Sequence, residues 1–119
     1  YLGVGYIDFS TAGNSSFAIG SNNNVYSFGD NTYGQLGTGN TAEARVPVNI
    51  TANFTLNPGE TFINIEAGER HGVVLTSTGR VFTWGNNQYG QLGDNTTASS
   101  YQPKDITSFI PLDPFIKIE

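Results

Sequence analysis

Two ten-residue stretches of the sequence are nearly identical: residues 28–37 read FGDNTYGQLG and residues 84–93 read WGNNQYGQLG. Each begins with an aromatic residue and a glycine and ends in Tyr-Gly-Gln-Leu-Gly. Glycine adopts positive φ at little cost, and asparagine hydrogen-bonds its own backbone in turns. Each stretch therefore predicts a strand that runs into a tight loop, and the chain builds this loop twice. The residues that define the motif are Phe28, Gly29, Gly34, Gln35, Leu36 and Gly37 in the first copy, and Trp84, Gly85, Gly90, Gln91, Leu92 and Gly93 in the second.

The repeat extends beyond the two loops. Pro47 and Pro103 share the 56-residue separation of the loops, and residues 115–119 (FIKIE) resemble residues 62–66 (FINIE) at a separation of 53. A repeat of this length is typical of supersecondary units in a stack or a ring, because one unit alone cannot bury its apolar face. The sequence therefore predicts tandem copies of one small structural module.

Each module contains four segments with strand character. In the second module, residues 62–66 and 80–84 alternate in polarity, and residues 72–76 form an apolar run. The fourth segment, residues 101–107, contains Pro103, which cannot donate a ladder hydrogen bond and is expected at a strand end or an edge. These patterns predict an all-β protein.

This arrangement resembles the repeats of the regulator of chromosome condensation family. The shared pattern is IxxGxxH at residues 65–71, followed by an apolar strand, a turn with glycine, VFTWG and NQYGQLG. The resemblance implies blades of a seven-bladed β-propeller, each blade a four-stranded antiparallel sheet. The expected organisation is one blade over residues 6–61, a second over 62–114 and the opening strand of a further repeat at 115–119, with residues 1–5 unassigned.

The first module departs from the family pattern at two positions. Alignment at a separation of 55 places Ser16 where the second module has His71, and Phe28 stands where it has Trp84. Neither serine nor phenylalanine can replace a titrating ring or an indole donor. Both positions are therefore interpreted as structural, and the resemblance implies that the ring of His71 hydrogen-bonds neighbouring backbone.

Two modules are too few to close a ring, since propellers take roughly four to eight blades. One interpretation is that the chain is part of a longer propeller, and the other is that several copies assemble to complete one. We expect the first.

The loop motif has a structural explanation. We expect Leu92 to be an apolar plug between neighbouring modules, and Gln91 to pair with loop backbone groups that would otherwise be buried without partners. Tyr33 and Tyr89 lie within the loops, so we expect them to be available to partners.

The sequence offers little for catalysis or metal binding. It has no cysteine and one histidine, His71, which lacks the partners of a triad or a histidine metal centre. Asp30 and Asp94 carry oxygen ligands, but their spacing does not form a calcium loop. We expect no enzyme activity, no metal and no cofactor.

Composition restricts the partners. The net charge is −5 and the five basic residues are scattered, which disfavours nucleic acid, and no apolar run has the length of a membrane span. Four asparagines begin N-x-Ser/Thr sequons and are candidate glycosylation sites. These sequons favour an extracellular or cell-surface location, with the cytoplasm or nucleus as the alternative. The four are Asn14, Asn49, Asn53 and Asn95.

Three functional hypotheses follow. The first is a non-enzymatic scaffold that binds a protein or a glycan through loops such as residues 51–61 (TANFTLNPGET). The second is a structural subunit that assembles with copies of itself, by strand addition, into a ring or filament. The third, implied by the family resemblance, is nucleotide exchange on a Ran-like small GTPase. It ranks last because of the acidic balance and because no residue matches an exchange site.

Overall fold

A computed structural model describes residues 5–110 and shows two four-stranded antiparallel sheets, each with its strands in sequence order. We call the sheets blade 1 and blade 2. Each is followed by a single 3-10 turn, Thr51–Asn53 or Thr107–Phe109. Blade 1 consists of β1 (Tyr6–Ala12), β2 (Ser15–Gly20), β3 (Val25–Gly29) and β4 (Ala44–Asn49), and blade 2 of β5 (Phe62–Ala67), β6 (His71–Thr76), β7 (Val81–Gly85) and β8 (Ser100–Asp105). The expected all-β fold with four-stranded blades is confirmed; the opening strand proposed at residues 115–119 lies outside the described residues.

The pairing of the strands corrects the sequence alignment between the β1–β2 hairpin and the β5–β6 hairpin. Ser15 pairs with Gly29, and His71 pairs with Gly85, so Ser15 occupies the position of His71. The assignment of Ser16 to that position was wrong. Both hairpins close over two residues, 13–14 in blade 1 and 69–70 in blade 2. A shift of one residue in the strand pairing would turn every following side chain to the opposite face of the sheet. Equivalent residues of the two blades therefore remain 56 positions apart through these strands.

The main core lies between the two blades. Phe54, which follows β4, meets three blade 2 rings edge-to-face, with centroid distances of 4.9 Å to Phe62, 5.3 Å to Phe82 and 5.5 Å to Trp84. Phe17 of β2 meets Trp84 in the same geometry at 5.6 Å. Such pairs add to the stability that apolar burial gives. Each blade therefore buries one of its faces only because the other blade is present.

Leu36 and Leu92 are both fully buried beneath their loops. The N–H of Leu92 donates to Oδ1 of Asn87 at 2.9 Å, and its carbonyl accepts from Oγ1 of Thr83 at 2.8 Å. Gln91 contributes as well, because its Oε1 accepts the backbone N–H of Tyr89 at 2.9 Å. The leucine thus fixes the loop to the sheet, while the side chains of Asn87 and Thr83 satisfy its backbone groups.

The substitution Leu92→Ala is expected to lower the free energy of unfolding by about 2–5 kcal/mol, because it leaves a cavity at a fully buried site. Urea unfolding followed by the fluorescence of Trp84 measures the change. Tyr89→Ala, three residues away and 83% exposed, is the matched control and should change stability by less than about 0.5 kcal/mol. Equal losses in the two variants would remove Leu92 from the core.

Candidate functional site: the blade interface and the rim loop

A single buried asparagine closes each motif loop. Nδ2 of Asn87 donates to the carbonyls of Thr96 and Ala98, both at 3.0 Å. Asn31 does the same in blade 1, with donation to the carbonyls of Asn40 and Ala42 at 2.9 Å. From the sequence alone, these asparagines are expected only as turn residues. The sequence signal that identifies them is the recurrence of asparagine two positions after Gly29 and Gly85. Their hydrogen bonds across the loops give both loops a fixed shape.

The motif loop of blade 1 packs against blade 2. Nε1 of Trp84 donates to the carbonyl of Gln35 at 2.7 Å, and a Cβ at Gly37 would lie 3.1 Å from the same nitrogen. A Cβ at Gly34 would overlap the ring of Tyr101 in β8. Glycine is therefore required twice in this loop, since the neighbouring blade occupies the space of a side chain and both φ values are positive.

The two loop tyrosines have different environments. The guanidinium of Arg70 lies 4.5 Å from the centroid of the Tyr33 ring, which places the first hairpin of blade 2 on the loop of blade 1. Tyr89, at the same position of the second loop, is 83% exposed. Tyr33 thus contributes to contact between the blades, and of the two only Tyr89 is an open aromatic surface.

The first strands of the two blades, β1 and β5, are joined by hydrogen bonds. In these bonds, side chains of β1 accept backbone N–H groups of β5. Oδ2 of Asp8 accepts the N–H of Ile65 at 2.7 Å, and Oγ of Ser10 accepts the N–H of Ala67 at 3.0 Å. Because β1 uses alternate side chains for these bonds, it fixes the position of β5 along the strand direction.

A buried carboxylate anchors the loop between the blades. We call residues 51–61 the rim loop. The side chain of Glu60 has no exposed surface, and Oε1 accepts the N–H of Asn57 at 2.9 Å and Nη1 of Arg80 at 2.7 Å. Its other oxygen accepts hydroxyl hydrogen bonds from Thr76 and Thr78. Burial alone would raise the pKa of Glu60, but these hydrogen bonds outweigh it and lower the pKa from 4.5 to about 2.

Arg80 connects the anchor to a second point of the rim loop and to β8. Besides Glu60, it donates to the carbonyl of Thr55 at 2.8 Å and to Oδ2 of Asp105 at 3.0 Å. The guanidinium also lies 4.9 Å from the centroid of the Phe82 ring. The tip of the loop, residues 57–59, remains exposed. The sequence indicates this loop but not its anchor, because Glu60 lies in the loop between the blades and Arg80 lies 20 residues further on, directly before β7.

The ring of His71 packs against the backbone of its own hairpin. Its ring lies over Gly68, where a Cβ would overlap it, and burial lowers the pKa of the imidazole. Within residues 5–110 the ring makes no hydrogen bond, so the backbone bond that the resemblance implied is not formed there.

The acidic motif residues are engaged in loop structure. Nζ of Lys104 lies 2.7 Å from Oδ2 of Asp94, and this contact, with a hydrogen bond from Thr96, holds the pKa of Asp94 well below its usual range. Asp30 accepts hydrogen bonds from Thr32 and Gln35. Across residues 5–110, His, Cys, Asp and Glu side chains do not gather in threes around a point where a metal ion would bind.

The sequon asparagines differ in accessibility. Asn14, Asn49 and Asn95 are exposed, whereas Nδ2 of half-buried Asn53 donates to the carbonyl of Gly37 at 2.8 Å. Glycosylation at these positions stays a prediction. The helices in the described part of the chain are three-residue turns, and none has the length of a membrane span.

The repeat also matches known proteins. A human protein described as probable E3 ubiquitin-protein ligase HERC4 is 34% identical over 93 residues, which cover 78% of this chain and 8% of HERC4. The crystal structure of human WBSCR16 matches with a TM-score of 0.77 and 31% identity, over 89% of this chain and 27% of that one. Prp20p from Saccharomyces cerevisiae, whose crystal structure is described with its binding to Gsp1p and histones, matches with a TM-score of 0.67 and 27% identity. That match covers 82% of this chain and 24% of Prp20p.

The family model of the regulator of chromosome condensation (RCC1) repeat matches residues 17–75 and 78–119. A second model of the same repeat matches residues 62–91. The first match begins in β2 and ends in β6, so the sequence repeat is out of phase with the blades and spans the interface between them. The chain belongs to the RCC1 repeat family, and its two sheets are two blades of an RCC1-type β-propeller.

Proposed function

We propose that this chain is part of a non-enzymatic scaffold that binds another protein through the rim loop. The observation that carries the proposal is the combination of an exposed tip, residues 57–59, with the buried anchor of Glu60. A loop that is already ordered loses little conformational entropy on binding, so a short polar tip can contribute to affinity. Binding residues are commonly found on loops that a rigid scaffold positions in this way.

The relatives favour a protein as the partner. Prp20p, which shares the fold and 27% of the aligned residues, has binding properties to Gsp1p and histones. The chain spans only about a quarter of Prp20p and 8% of HERC4, so the partner and activity of the whole protein are proposals here. The net charge of −5 favours a partner with a basic surface, since complementary charge speeds association.

The proposal predicts that binding depends on the tip of the rim loop. The double variant Asn57→Ala/Pro58→Ala removes two exposed side chains. It keeps the anchor, because the hydrogen bonds between Asn57 and Glu60 use only backbone groups of Asn57. Quantitative affinity capture from lysate, followed by mass spectrometry, is expected to show proteins that wild type retains and that this variant loses by about tenfold or more.

The control variant is Thr41→Ala/Thr97→Ala, which removes two exposed hydroxyls from the motif loops and should retain the same proteins as wild type. Equal retention by the tip variant and wild type would contradict the proposal. So would equal loss in both variants, because binding would then not be specific to the rim loop.

A further inference from the structure

The turn between β2 and β3 contains Asn23, which has a φ of 63° although it is not a glycine. We propose, on the basis of the binding function proposed above, that Asn23 is a positioning residue for the rim loop. Its side chain holds the end of the loop on blade 1, so that the tip, residues 57–59, is presented to the partner in one orientation.

Both polar groups of the Asn23 side chain bond the C-terminal end of the rim loop. Oδ1 accepts the N–H of Phe62 at 2.9 Å, and Nδ2 donates to the carbonyl of Glu60 at 3.3 Å. Phe62 is buried, so its N–H requires a partner. Asn23 thus connects blade 1 to the point where the chain leaves the rim loop and enters β5.

The turn itself does not need this side chain. Blade 2 has Gly79 at the same position, with a φ of 85°. The backbone hydrogen bonds of the two turns agree as well, since the N–H of Asn23 donates to the carbonyl of Gly20 at 3.0 Å and the N–H of Gly79 donates to that of Thr76 at 3.0 Å. Glycine takes positive φ at little cost, whereas asparagine takes it less readily. The contacts with the rim loop, and not the turn, therefore explain the asparagine side chain.

Glu60 is held from two sides. Its carboxylate accepts from Arg80, directly before β7, and its carbonyl accepts from Asn23 of blade 1. The N–H of Glu60 donates to the carbonyl of Asn57 at 3.0 Å, and the N–H of Asn57 donates to Oε1 of Glu60 at 2.9 Å, so residues 57–60 form a closed turn. This closed turn cannot change its orientation without the loss of hydrogen bonds on one of the two sides.

Loss of the Asn23 contacts should weaken binding although every residue of the tip is kept. Arg80 would still hold the carboxylate of Glu60, so the closed turn would remain but would be free to change its orientation relative to blade 1. A partner that binds one orientation would then find it in only a fraction of the molecules. The apparent affinity falls in proportion to that fraction.

Amide hydrogen exchange, measured by nuclear magnetic resonance in the 119-residue chain, tests the position of the loop. Asn23→Gly keeps a residue that takes positive φ and removes both contacts. We expect the amide of Phe62 to exchange about tenfold faster, while the amide of Val74, buried in β6, changes by less than about twofold. An unchanged rate at Phe62 would overturn the proposal. An equal rise at Phe62 and Val74 would overturn it too, because it would indicate a general loss of stability.

The matched control is Asn24→Ala, at the next residue of the same turn. Asn24 bonds the turn through its backbone N–H and carbonyl, which alanine retains. The exchange of Phe62 should therefore stay within about twofold of wild type in this variant. A rise as large as that in Asn23→Gly would show that the rim loop does not depend on the side chain of Asn23 specifically, which would contradict the proposal.

A third variant, Asn23→Asp, separates the two contacts. Aspartate keeps an oxygen for the N–H of Phe62 but has no N–H for the carbonyl of Glu60. We expect the amide of Phe62 to exchange about threefold more slowly in this variant than in Asn23→Gly. Equal rates in the two variants would contradict the role assigned to Oδ1.

Affinity capture distinguishes the role of Asn23 from the function on which it rests. Asn23→Gly should retain about threefold less of the proteins that Asn57→Ala/Pro58→Ala loses, and Asn24→Ala should retain them as wild type does. Undiminished retention by Asn23→Gly would overturn the positioning role in binding. If the tip variant itself loses no protein, the proposed binding function fails, whereas the exchange of Phe62 still decides whether Asn23 positions the loop.

Discussion

Substitution of Trp84 by alanine is expected to lower the free energy of unfolding by about 3–5 kcal/mol, the largest loss we predict for a core residue. Trp84 is fully buried, contacts Phe17 of blade 1 and Phe54 of the rim loop, and donates to the carbonyl of Gln35. The substitution therefore removes core packing and the hydrogen bond between the blades together. Because Trp84 is the only tryptophan, urea unfolding should be followed by far-UV circular dichroism.

The control is Phe28→Ala, at the same position of blade 1. Phe28 is half-buried because no described blade covers that face, so its loss should be smaller. Trp84→Phe keeps an aromatic ring and removes the indole donor, and an intermediate loss is expected. If Trp84→Ala and Phe28→Ala cost the same, the covered blade interface would not be what stabilises the chain.

Glu60→Ala is expected to lower the free energy of unfolding by roughly 3 kcal/mol. The substitution leaves Arg80 without its buried partner and two threonine hydroxyls without their acceptor, and removal of one member of a buried ion pair is costly. Asp105 still pairs with Arg80, which limits the loss. The control is Glu43→Ala, which breaks an exposed pair with Arg45 and should cost less than about 1 kcal/mol. Equal losses of stability in Glu60→Ala and Glu43→Ala would show that Glu60 does not anchor the rim loop.

The same carboxylate predicts a dependence on pH. The folded state lowers the pKa of Glu60 from 4.5 to about 2, so the folded state binds its proton less readily than the unfolded state. The stability that Glu60 contributes is therefore complete above pH 4.5 and is lost as the pH falls towards 2. In Glu60→Gln, urea midpoints measured across this range should fall less steeply than in wild type. A slope that does not change would exclude Glu60 as the titrating group. Part of the slope should remain in the variant, because the pKa of Asp94 is also lowered.

The sequence predicted the architecture well because glycine and aromatic positions report local requirements. Gly34 and Gly90 both need positive φ, and alternation around Phe82 predicted a strand. The exact register was not predictable in the same way. The sequence similarity allowed a separation of 55 residues between the first hairpins, whereas the two-residue hairpin loops require 56. Only the strand pairing, which places Ser15 opposite Gly29, decides between them.

The site was predicted less completely, since its contacts join distant residues. Trp84 and Gln35 are 49 positions apart, and the motif alone does not show that one loop lies on the next blade. Tyr33 and Tyr89 have the same sequence context, yet the structure places Arg70 over Tyr33 and leaves Tyr89 exposed. Differences between repeats in burial depend on the neighbouring blade rather than on the residue itself.

The most direct test of the packed pair of blades is nuclear magnetic resonance of the Trp84 indole in the 119-residue chain. The indole nitrogen lies 2.7 Å from the carbonyl of Gln35, and a Cβ at Gly37 would lie 3.1 Å from it. We predict nuclear Overhauser effects between the indole N–H and the α-hydrogens of Gly37, with slow exchange of that N–H with solvent. Fast exchange, without cross-peaks from the indole to blade 1, would contradict the interface on which this account depends.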